Sequence, residues 1–272
     1  MPGTKGEPLT PIIVCGAAGR MGQLLVRLIA AEPRAQLAAA IEAAGHRALG
    51  RDAGEVAGIP ALAVPLTAAY VPSPESVTLD FTAPGPALAH LETAQANGAA
   101  IVVGTTGFAP AERARAEELA RQTRAVIAPN MSVGMTVLEG LVAAATRTLG
   151  RDFDIEIVEI HHRLKRDAPS GTALRLGEVA AQAQGEPLEG RALFGREGEP
   201  GPRRDNEIGI LGVRGGDVVG DHTVLFLGSG ERLELIHRSQ SRECLARGAL
   251  RAALWVAHQP PGLYTMRDVL GL

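Results

Sequence analysis

Short continuous apolar runs alternate with stretches of helical periodicity through the first half of the chain. The runs lie at 11–15, 36–41, 77–81, 100–103 and 125–128. Their length is typical of strands, and 11–15, 100–103 and 125–128, which carry no polar residue, indicate strands that are buried on both faces. The helical patterns between them lie at 23–31, 86–97 and 111–123. This order predicts an α/β, Rossmann-type domain with a doubly wound parallel sheet.

The periodicity changes in the second half, after a long amphipathic pattern at 133–148. Residues 152–157 alternate polar and apolar side chains, as a half-exposed strand does. Two more strand-like segments, 218–227 and 231–237, are joined by Gly228-Ser229-Gly230, which predicts a hairpin. A smaller α+β domain is therefore expected, with a mainly antiparallel sheet whose open face can pack against another subunit.

The remaining segments complete the predicted organisation. Residues 1–10 are expected to form a loose arm, and the Gly-, Pro- and charge-rich residues 184–206 a long loop. A helix is predicted at 242–257, and the terminal segment 262–272 is expected to pack back on the first domain. The predicted first domain thus spans 1–130 together with 242–272, and the second domain spans 131–241.

Composition excludes several classes of function. The chain has 272 residues, a formal net charge of −3 and 3% aromatic residues, so nucleic acid is not an expected partner. No apolar run approaches the ~18 residues that span a bilayer, and a signal-peptide pattern is absent. The two cysteines, Cys15 and Cys244, have neither metal-binding nor redox spacing. A cytoplasmic protein without a metal site or a membrane partner is expected.

A glycine turn follows the first predicted strand directly. It reads Gly16-Ala-Ala-Gly19-Arg-Met-Gly22 and leads into a helical pattern. Such a turn lays a pyrophosphate on the N-terminus of the helix, where free N–H groups point to the anion. Ala18 takes the middle glycine position of the usual G-x-G-x-x-G motif. Glu42, at the end of the second predicted strand, suits the adenosine ribose and repels a 2′-phosphate, so a dinucleotide site is predicted.

Further small and polar residues follow the other buried strands. They are Thr82-Ala-Pro, Gly104-Thr-Thr-Gly107 and Pro129-Asn-Met-Ser132. Ligands of open α/β sheets bind at the carboxyl ends of the strands, so these segments are expected to line the same site.

The stretch 159–173 carries the groups best suited to catalysis. It contains His161, His162 and Lys165, followed by Ser170-Gly171-Thr172 at the start of a helical pattern. Imidazoles exchange protons near neutral pH, and a helix start binds anions. Apart from Lys5, Lys165 is the only lysine among many arginines, and only a lysine can readily give up its proton. The stretch predicts a site that protonates a substrate carrying carboxylates.

The histidines of the chain do not all have to be functional. Because successive strand residues point to opposite faces, His161 and His162 are not expected to share one pocket without a twist or bulge. One of the two is therefore open to a structural role. His222 and His237 have no metal-ligand spacing and are expected in the core or in an interface.

From end to end, the chain resembles the 4-hydroxy-tetrahydrodipicolinate reductase (dihydrodipicolinate reductase) family. The His-His-x-x-Lys-x-Asp-Ala-Pro-Ser-Gly-Thr block is the most specific match. The other matching segments are Gly16-Ala-Ala-Gly-Arg-Met-Gly22, Asp80-Phe-Thr82, Gly104-Thr-Thr-Gly-Phe108, Asn130-Met-Ser-Val-Gly134 and Met266-Arg-Asp-Val-Leu270.

The resemblance implies NAD(P)H-dependent reduction of a cyclic dicarboxylate to tetrahydrodipicolinate in diaminopimelate and lysine biosynthesis, by a homotetramer. It implies that the first domain binds the dinucleotide and that the second binds substrate and oligomerises. The implied pyrophosphate site is Gly16, Ala17, Ala18, Gly19, Arg20 and Met21, with Glu42 at the adenosine ribose. The implied nicotinamide side is Gly104, Thr105, Thr106, Ala128, Pro129, Asn130 and Met131. His161 is the implied proton donor or its relay, assisted by Lys165, and the implied carboxylate ligands are His162, Lys165, Gly171 and Thr172.

One departure from the family concerns the choice of nucleotide. Relatives often carry an arginine after the ribose acid, whereas this chain has Ala43. A direct clamp on a 2′-phosphate is then missing, and NADH is expected to be used at least as well as NADPH. Arg47 is the alternative partner for that phosphate if it reaches around the loop.

Two other functions remain open at this point. Another two-domain nicotinamide enzyme, such as an amino-acid or semialdehyde dehydrogenase, would share the first domain without needing the His-His-x-x-Lys block. A non-catalytic nucleotide sensor would keep the glycine turn and have no reason to keep His161 beside Lys165. Fold alone does not separate these functions.

Overall fold

The computed structural model describes residues 8–272, so most of the predicted N-terminal arm lies outside the described residues. The chain divides into two compact units. The first comprises the described residues up to Val133 together with Glu243–Leu272, and the second is Gly134–Arg242. Within the described part of the chain, no helix has both the length and the apolar character needed to cross a membrane.

Strands and helices alternate at the start of the first unit. In chain order they are β1 (Thr10–Cys15), α1 (Arg20–Ala31), β2 (Ala35–Ile41), α2 (Ala53–Ala57), β3 (Leu66–Thr67), β4 (Val77–Asp80), α3 (Pro84–Ala96), β5 (Ala100–Val103), α4 (Pro110–Arg121) and β6 (Arg124–Ile127). The predicted buried strands are therefore present as β1, β2, β4, β5 and β6. The sequence did not predict α2 and β3, because 5 and 2 residues are too few to show a period.

The second unit contains a mixed sheet covered by two helices. Its elements are α5 (Val133–Leu149), β7 (Asp154–His161), α6 (Gly171–Ala183), β8 (Ala192–Leu193), β9 (Ile208–Arg214), β10 (Gly220–Leu227) and β11 (Arg232–Ser239). The strand order is β11-β10-β7-β9-β8. β10 is antiparallel to β7 and to β11, and the predicted hairpin joins β10 to β11. β9 pairs in parallel with β7 and with β8. The sheet is therefore antiparallel from β11 through β10 to β7, and the strands on the other side of β7 are parallel.

The chain then returns to the first unit with α7 (Glu243–Val256), β12 (Gly262–Tyr264) and α8 (Met266–Leu270). β12 pairs in parallel with β6 and completes a seven-stranded sheet of order β12-β6-β5-β4-β1-β2-β3. The chain builds the sheet outward from β1 in both directions. The crevice beside the carboxyl ends of β1 and β4 is therefore the place where an open α/β sheet binds a ligand.

Helices cover both faces of this parallel sheet. Val102 of β5 lies in an apolar cluster with α1 and α7, whereas its neighbours Ile101 and Val103 lie in a second cluster with α3 and α4. Successive residues of one strand thus enter different cores, which explains why the strand sequence is apolar throughout. The predicted Rossmann-type fold is confirmed.

One face of the mixed sheet is apolar at one end and polar at the other. Ile157 of β7 and Val224 of β10 are buried in a core with α5 and α6. Alternation along β7 places Glu159 and His161 on this same face, beyond the apolar core. The fold thereby buries two titratable groups side by side.

One residue of the second unit is more buried than the sequence predicts, and one strand was not predicted. Glu156 was expected on a half-exposed strand, but it is 8% exposed and paired with Arg196 and Arg203. A Cβ at Gly209 of β9 would lie 1.8 Å from Oε2 of Glu156, so the carboxylate uses the space above this glycine. Gly209, which makes this room, and Gly212, which lies beside Glu159, also interrupt the apolar pattern of β9, and the sequence pattern therefore does not indicate this strand.

Candidate active site

The glycine turn after β1 is built from positions where a side chain does not fit. Gly16 has a φ of 74°, a left-handed conformation that favours glycine. A Cβ at Gly22 would lie 2.1 Å from the carbonyl oxygen of Gly16 and 2.6 Å from the Cα of Ala17. The turn therefore folds tightly against the start of α1 and leaves backbone for a ligand to approach.

The N-terminus of α1 is suited to an anion. Gly19 precedes the helix without a side-chain cap, and the first turn has no acidic residue. The first N–H groups of a helix have no acceptor within the helix, and its dipole favours negative charge there. Arg20 is exposed at the first helical position and adds a positive charge. The turn and the helix start together fit a pyrophosphate.

The carboxylate of Glu42 lies beside the glycine turn, just beyond β2. Its Oε2 accepts a hydrogen bond from the N–H of Ala18 at 3.0 Å, and its Oε1 accepts one from the N–H of Ala43 at 2.9 Å. These bonds hold the carboxylate where dinucleotide sites bind a ribose diol. Ala43 and Arg47 are both exposed, and the side chain next to Glu42 in sequence is a methyl group.

Gly104, Thr105 and Thr106 follow β5 at the same edge of the sheet. A Cβ at Gly104 would lie 2.1 Å from the ring of Phe81, so only glycine fits against this ring. Thr105 is buried, with 6% of its surface exposed, whereas Thr106 is exposed. Of these side chains, that of Thr106 is therefore the one turned to solvent.

The residues after β6 differ in what they can offer a cofactor. The N–H of Ala128 donates to the carbonyl of Val103 at 3.1 Å, and Oδ1 of Asn130 accepts from the N–H of Ser132 at 2.9 Å. Pro129 is exposed. Met131 is buried in the apolar core with 1% exposure, so its side chain packs inside the first unit.

In the second unit, a buried carboxylate holds the ring of His161 at the end of β7. Nδ1 of His161 lies 2.5 Å from Oε2 of Glu159, whose side chain is fully buried. A carboxylate only accepts hydrogen bonds, so Nδ1 carries the proton of the neutral ring and Nε2 is the exchanging atom. A Cβ at Gly220 of β10 would lie 2.9 Å from Nε2, so this glycine makes room for the ring.

Arg214 holds Glu159 on its other side. Its Nη1 and Nη2 donate to Oε2 and Oε1 at 2.8 and 2.7 Å, and the N–H of Ser170 donates to Oε1 at 3.0 Å. Burial opposes the ionisation of Glu159, but these donors and His161 hold its pKa below the ordinary value. Glu159 therefore stays charged and is able to stabilise the imidazolium form of His161.

The pKa of His161 lies below its ordinary value, because burial disfavours the imidazolium. The hydrogen bond and the charge of Glu159 oppose this effect, while Lys165 and Arg214 add repulsion. A histidine of this kind releases its proton readily once it is charged. The arrangement fits a group that delivers a proton to a bound substrate.

His222 of β10 stands beside the pair and is buried, as expected from the sequence. The ring centroids of His161 and His222 are 5.2 Å apart, in an edge-to-face arrangement. Burial, aided by the charges of His161, His237 and Lys165 and opposed by Glu159, lowers the pKa of His222 to about 4. His222 is therefore neutral at pH 7, and its Nε2 lies 3.3 Å from Oγ of Ser170.

The predicted carboxylate ligands lie in the segment that follows β7. His162 is half-buried just past the strand end, so it is not held in the buried network of His161. Nζ of Lys165 donates to Asp167 at 2.9 Å, which holds the pKa of Asp167 below its ordinary value. Gly171 and Thr172 begin α6, whose first turn has no acidic residue. This segment thus offers a cation and a helix start to an anionic substrate.

Three members of this network were not identified as functional from the sequence. Glu159 was not singled out within the stretch 159–173. Side chains two residues apart on a strand share a face, so Glu159 lies on the same face as His161. Arg214 lies 55 residues away from Glu159, and nothing local marks it. His222 was assigned to the core or an interface, which is correct for its burial but omits its contact with His161.

Two domain models of one enzyme family match the chain, one in each half. The N-terminal domain model of dihydrodipicolinate reductase matches residues 10–131, and the C-terminal domain model matches residues 134–270. A 4-hydroxy-tetrahydrodipicolinate reductase from Geobacter sulfurreducens is 50% identical over 266 residues, which cover 97% of this chain and 100% of the relative. Another from Syntrophobacter fumaroxidans is 51% identical over 261 residues, covering 95% and 98%. The resemblance drawn from the motifs is confirmed.

Solved structures show the same fold at lower identity. The dipicolinate-bound dihydrodipicolinate reductase from Paenisporosarcina sp. TG-14 has a TM-score of 0.72 at 24% identity, over 96% of this chain and 98% of that one. An amine dehydrogenase from Mycobacterium smegmatis has a TM-score of 0.59 at 13% identity, over 96% and 95%. The architecture is therefore shared beyond one family, and only the residues of the site distinguish the reactions.

Proposed function

The chain belongs to the dihydrodipicolinate reductase family and is an NAD(P)H-dependent oxidoreductase, and on this premise we propose that His161 protonates 4-hydroxy-tetrahydrodipicolinate during its reduction to tetrahydrodipicolinate. The family places this reaction in diaminopimelate and lysine biosynthesis. The observation that carries the catalytic assignment is the Glu159–His161 pair, with Nδ1 held at 2.5 Å from a buried carboxylate. A nucleotide sensor or a dehydrogenase of another family would not require this pair.

The first unit fits a nicotinamide dinucleotide, since Gly22 lets the glycine turn pack closely on a helix start that has no side-chain cap and no acidic residue in its first turn. We assign the pyrophosphate to the turn and to the first turn of α1, with residues Gly16, Ala17, Gly19, Arg20 and Met21. Ala18 supports this site indirectly, because its N–H is bonded to Glu42. The nicotinamide side is assigned to Gly104, Thr105, Thr106, Ala128, Pro129, Asn130 and Met131. When bound, the nucleotide supplies the hydride.

The reduction also needs a proton, which His161 supplies, and the 4-hydroxyl group of the substrate leaves as water. In the charged ring, Nε2–H is the donor to the substrate, while Nδ1–H stays bonded to Glu159. Glu159 keeps the ring in one orientation and one tautomer before and after the transfer. Arg214 keeps the carboxylate in place through two parallel hydrogen bonds.

His162, Lys165, Gly171 and Thr172 bind the two carboxylates of the substrate in this proposal. Lys165 is paired with Asp167 in the free protein, where the Asp167 side chain is 59% exposed. A substrate carboxylate then replaces an exposed partner, which has a small energetic cost. The N–H groups at the start of α6 receive the other carboxylate.

Nucleotide choice follows from the position after Glu42. Because Ala43 has no positive charge, NADH is expected to give a kcat/KM at least as high as NADPH. A clear preference for NADPH in steady-state kinetics would contradict this expectation. If Arg47 binds the 2′-phosphate, Arg47→Ala lowers kcat/KM for NADPH alone, and that comparison tests the alternative.

The outer face of the mixed sheet supports a homotetramer. It lies opposite the core formed by Val224 and its neighbours, and its apolar members are half-buried or exposed in the single chain: Val158, Ile160, Leu211, Val213, Leu225 and Ile236. A sheet face of this kind is suited to packing against another subunit. Assembly through this face and a cytoplasmic location complete the proposal.

The assignment of His161 is tested by the oxidation of NADH, followed by its absorbance, with 4-hydroxy-tetrahydrodipicolinate generated in the cuvette. General acid catalysis contributes about 10²- to 10⁴-fold, so His161→Gln is expected to lower kcat within that range and to leave NADH affinity unchanged. His258→Gln is the control, because His258 is an exposed histidine of the first unit. Near-normal turnover of His161→Gln would show that another group delivers the proton.

A further inference from the structure

Asp80 is a buried hub at the carboxyl end of β4. Its side chain is fully buried, and its Oδ2 lies 2.6 Å from Nδ1 of His90 on α3. Its Oδ1 accepts hydrogen bonds from the hydroxyls of Thr82 and Thr105, at 2.8 and 2.7 Å. The N–H of Thr82 also donates to Oγ1 of Thr105 at 2.9 Å. One carboxylate thus connects α3 with the loops that follow β4 and β5.

The same group reaches the glycine turn. A Cβ at Gly16 would lie 3.2 Å from Cγ2 of Thr82, so the methyl group of this threonine packs against the turn. The N–H of Gly104 donates to the carbonyl of Asp80 at 2.9 Å, which aligns β5 with β4. The three loops that meet at the crevice of the parallel sheet are therefore held together by contacts that converge on Asp80.

A metal ion is the other candidate for these residues. Cys15, Asp80 and His90 place potential ligand atoms within 4.8 Å of one another. However, both oxygens of Asp80 are already hydrogen-bonded, and a direct bond of 2.6 Å to His90 leaves no space for an ion between them. Burial and the negative charges of Asp80 and Glu42 raise the pKa of the Cys15 thiol, so it is not a ready thiolate ligand. The geometry is that of a hydrogen-bonded support.

The topology determines which half of a dinucleotide this support serves. Glu42 stands after β2, on one side of β1, and marks the adenosine end. The pyrophosphate lies at the turn after β1, so the other end of the dinucleotide extends over β4 and β5 on the opposite side. Thr82 and Thr105 follow these two strands. The Asp80 hub therefore lies beneath the nicotinamide half and away from the adenosine half.

We propose that the Asp80–His90 pair is a positioning pair for the nicotinamide half of the cofactor, an inference that rests on the proposed function. His90 occupies Oδ2 with an N–H donor, which leaves Oδ1 to orient the two threonine hydroxyls. Tyr70 holds the His90 ring edge to face, with centroids 4.8 Å apart. With their hydroxyls engaged, the loops present backbone groups to the nicotinamide in a fixed geometry.

Binding of NADH and of ADP-ribose, measured by titration calorimetry, tests this proposal, because ADP-ribose lacks the nicotinamide. His90→Ala is expected to weaken NADH binding about tenfold, the effect of losing one charge-assisted hydrogen bond, and to change ADP-ribose binding less than about twofold. His90→Asn keeps an N–H donor near the position of Nδ1, so it is expected to restore most of the NADH affinity. His258→Ala is the exposed control.

Three results would overturn the proposal. Equal weakening of both ligands by His90→Ala would show a general structural role, and unchanged binding of both would show no role. If His90→Ala does not fold, Thr105→Val is read instead, and the same selective loss of NADH binding is required of it. A wild-type protein that binds neither ligand would refute the proposed function itself, before any variant is compared.

Discussion

Replacing Glu159 by Gln removes one charge from the catalytic network and keeps its shape. The amide still accepts a hydrogen bond from Arg214 or from the N–H of Ser170, but it no longer attracts the imidazolium of His161. Burial already lowers the pKa of His161, and Glu159 is the group that opposes this effect. The pKa of His161 is therefore expected to fall further in the variant. Because the acid form exists below the pKa, the alkaline limb of the kcat profile moves to lower pH.

The size of the effect follows from the contact. Two opposite charges about 4 Å apart interact by about 4 kcal/mol at an effective dielectric constant of about 20. The net change in free energy is smaller than this value, because solvent relaxes around the charges and because the substitution also removes the ion pair between Glu159 and Arg214. We therefore expect kcat at about pH 8 to fall by about 10- to 100-fold, with a smaller loss at about pH 6.

The assay is NADH oxidation measured across the pH range, together with thermal unfolding of each variant. Glu156→Gln is the matched control, since Glu156 lies on the same strand, is buried and pairs with arginines on the opposite face. Both variants lose a buried ion-pair partner and are expected to be destabilised by about 1–3 kcal/mol. Only Glu159→Gln is expected to move the pH profile.

A uniform loss of kcat at every pH would refute this reasoning. That result would mean that the charge of Glu159 does not act through the ionisation of His161. A shift of the profile in both variants would also contradict it, because Glu156 does not contact His161. An unchanged kcat in Glu159→Gln would show that the carboxylate has no part in catalysis.

Three further predictions concern the cofactor site and the assembly. Ala43→Arg adds a partner for a 2′-phosphate and is expected to raise kcat/KM for NADPH relative to NADH about tenfold in steady-state kinetics; an unchanged ratio would place the phosphate elsewhere. Gly22→Ala inserts a Cβ 2.1 Å from a backbone oxygen. It is expected to weaken NADH binding at least about tenfold and to lower the melting temperature. Gly85→Ala is the control and is expected to leave both unchanged, because a Cβ at Gly85 meets nothing within 4 Å. Leu225→Asp places a charge on the outer face of the mixed sheet and is expected to give a smaller assembly by light scattering. Ser229→Asp, at the exposed hairpin tip, is the control and is expected to leave the mass unchanged. If Leu225→Asp has the same mass as the wild type, this face is not part of the interface.

The parallel sheet was accessible from the sequence because its strands are buried on both faces. Runs such as 100–103 carry no polar residue, and this pattern has few other interpretations. The glycine turn was accessible for a similar reason, since the close approach at Gly22 excludes every other residue. Where local geometry restricts the residue type, a single sequence is informative.

The contacts that organise the site were not accessible in this way. Arg214 and Glu159 are separated by 55 residues, and neither has a local pattern that names its partner. The segment Asp80-Phe-Thr82 was recognised as a motif, but the role of Asp80 depends on His90 from the next helix and on Thr105 from the loop after the next strand. Such pairings are set by strand register and helix packing, and the sequence shows them only after the fold is known.

In the proposed reaction, one protein binds both a nicotinamide nucleotide and a planar dicarboxylate. Titration calorimetry of NADH and NADPH, each with and without pyridine-2,6-dicarboxylate, measures both binding events. We expect that each nucleotide binds, that NADH binds at least as tightly as NADPH, and that the dicarboxylate binds mainly to the NADH complex. Nucleotide binding without any dicarboxylate binding would contradict the assignment of His162, Lys165 and the start of α6 to the substrate.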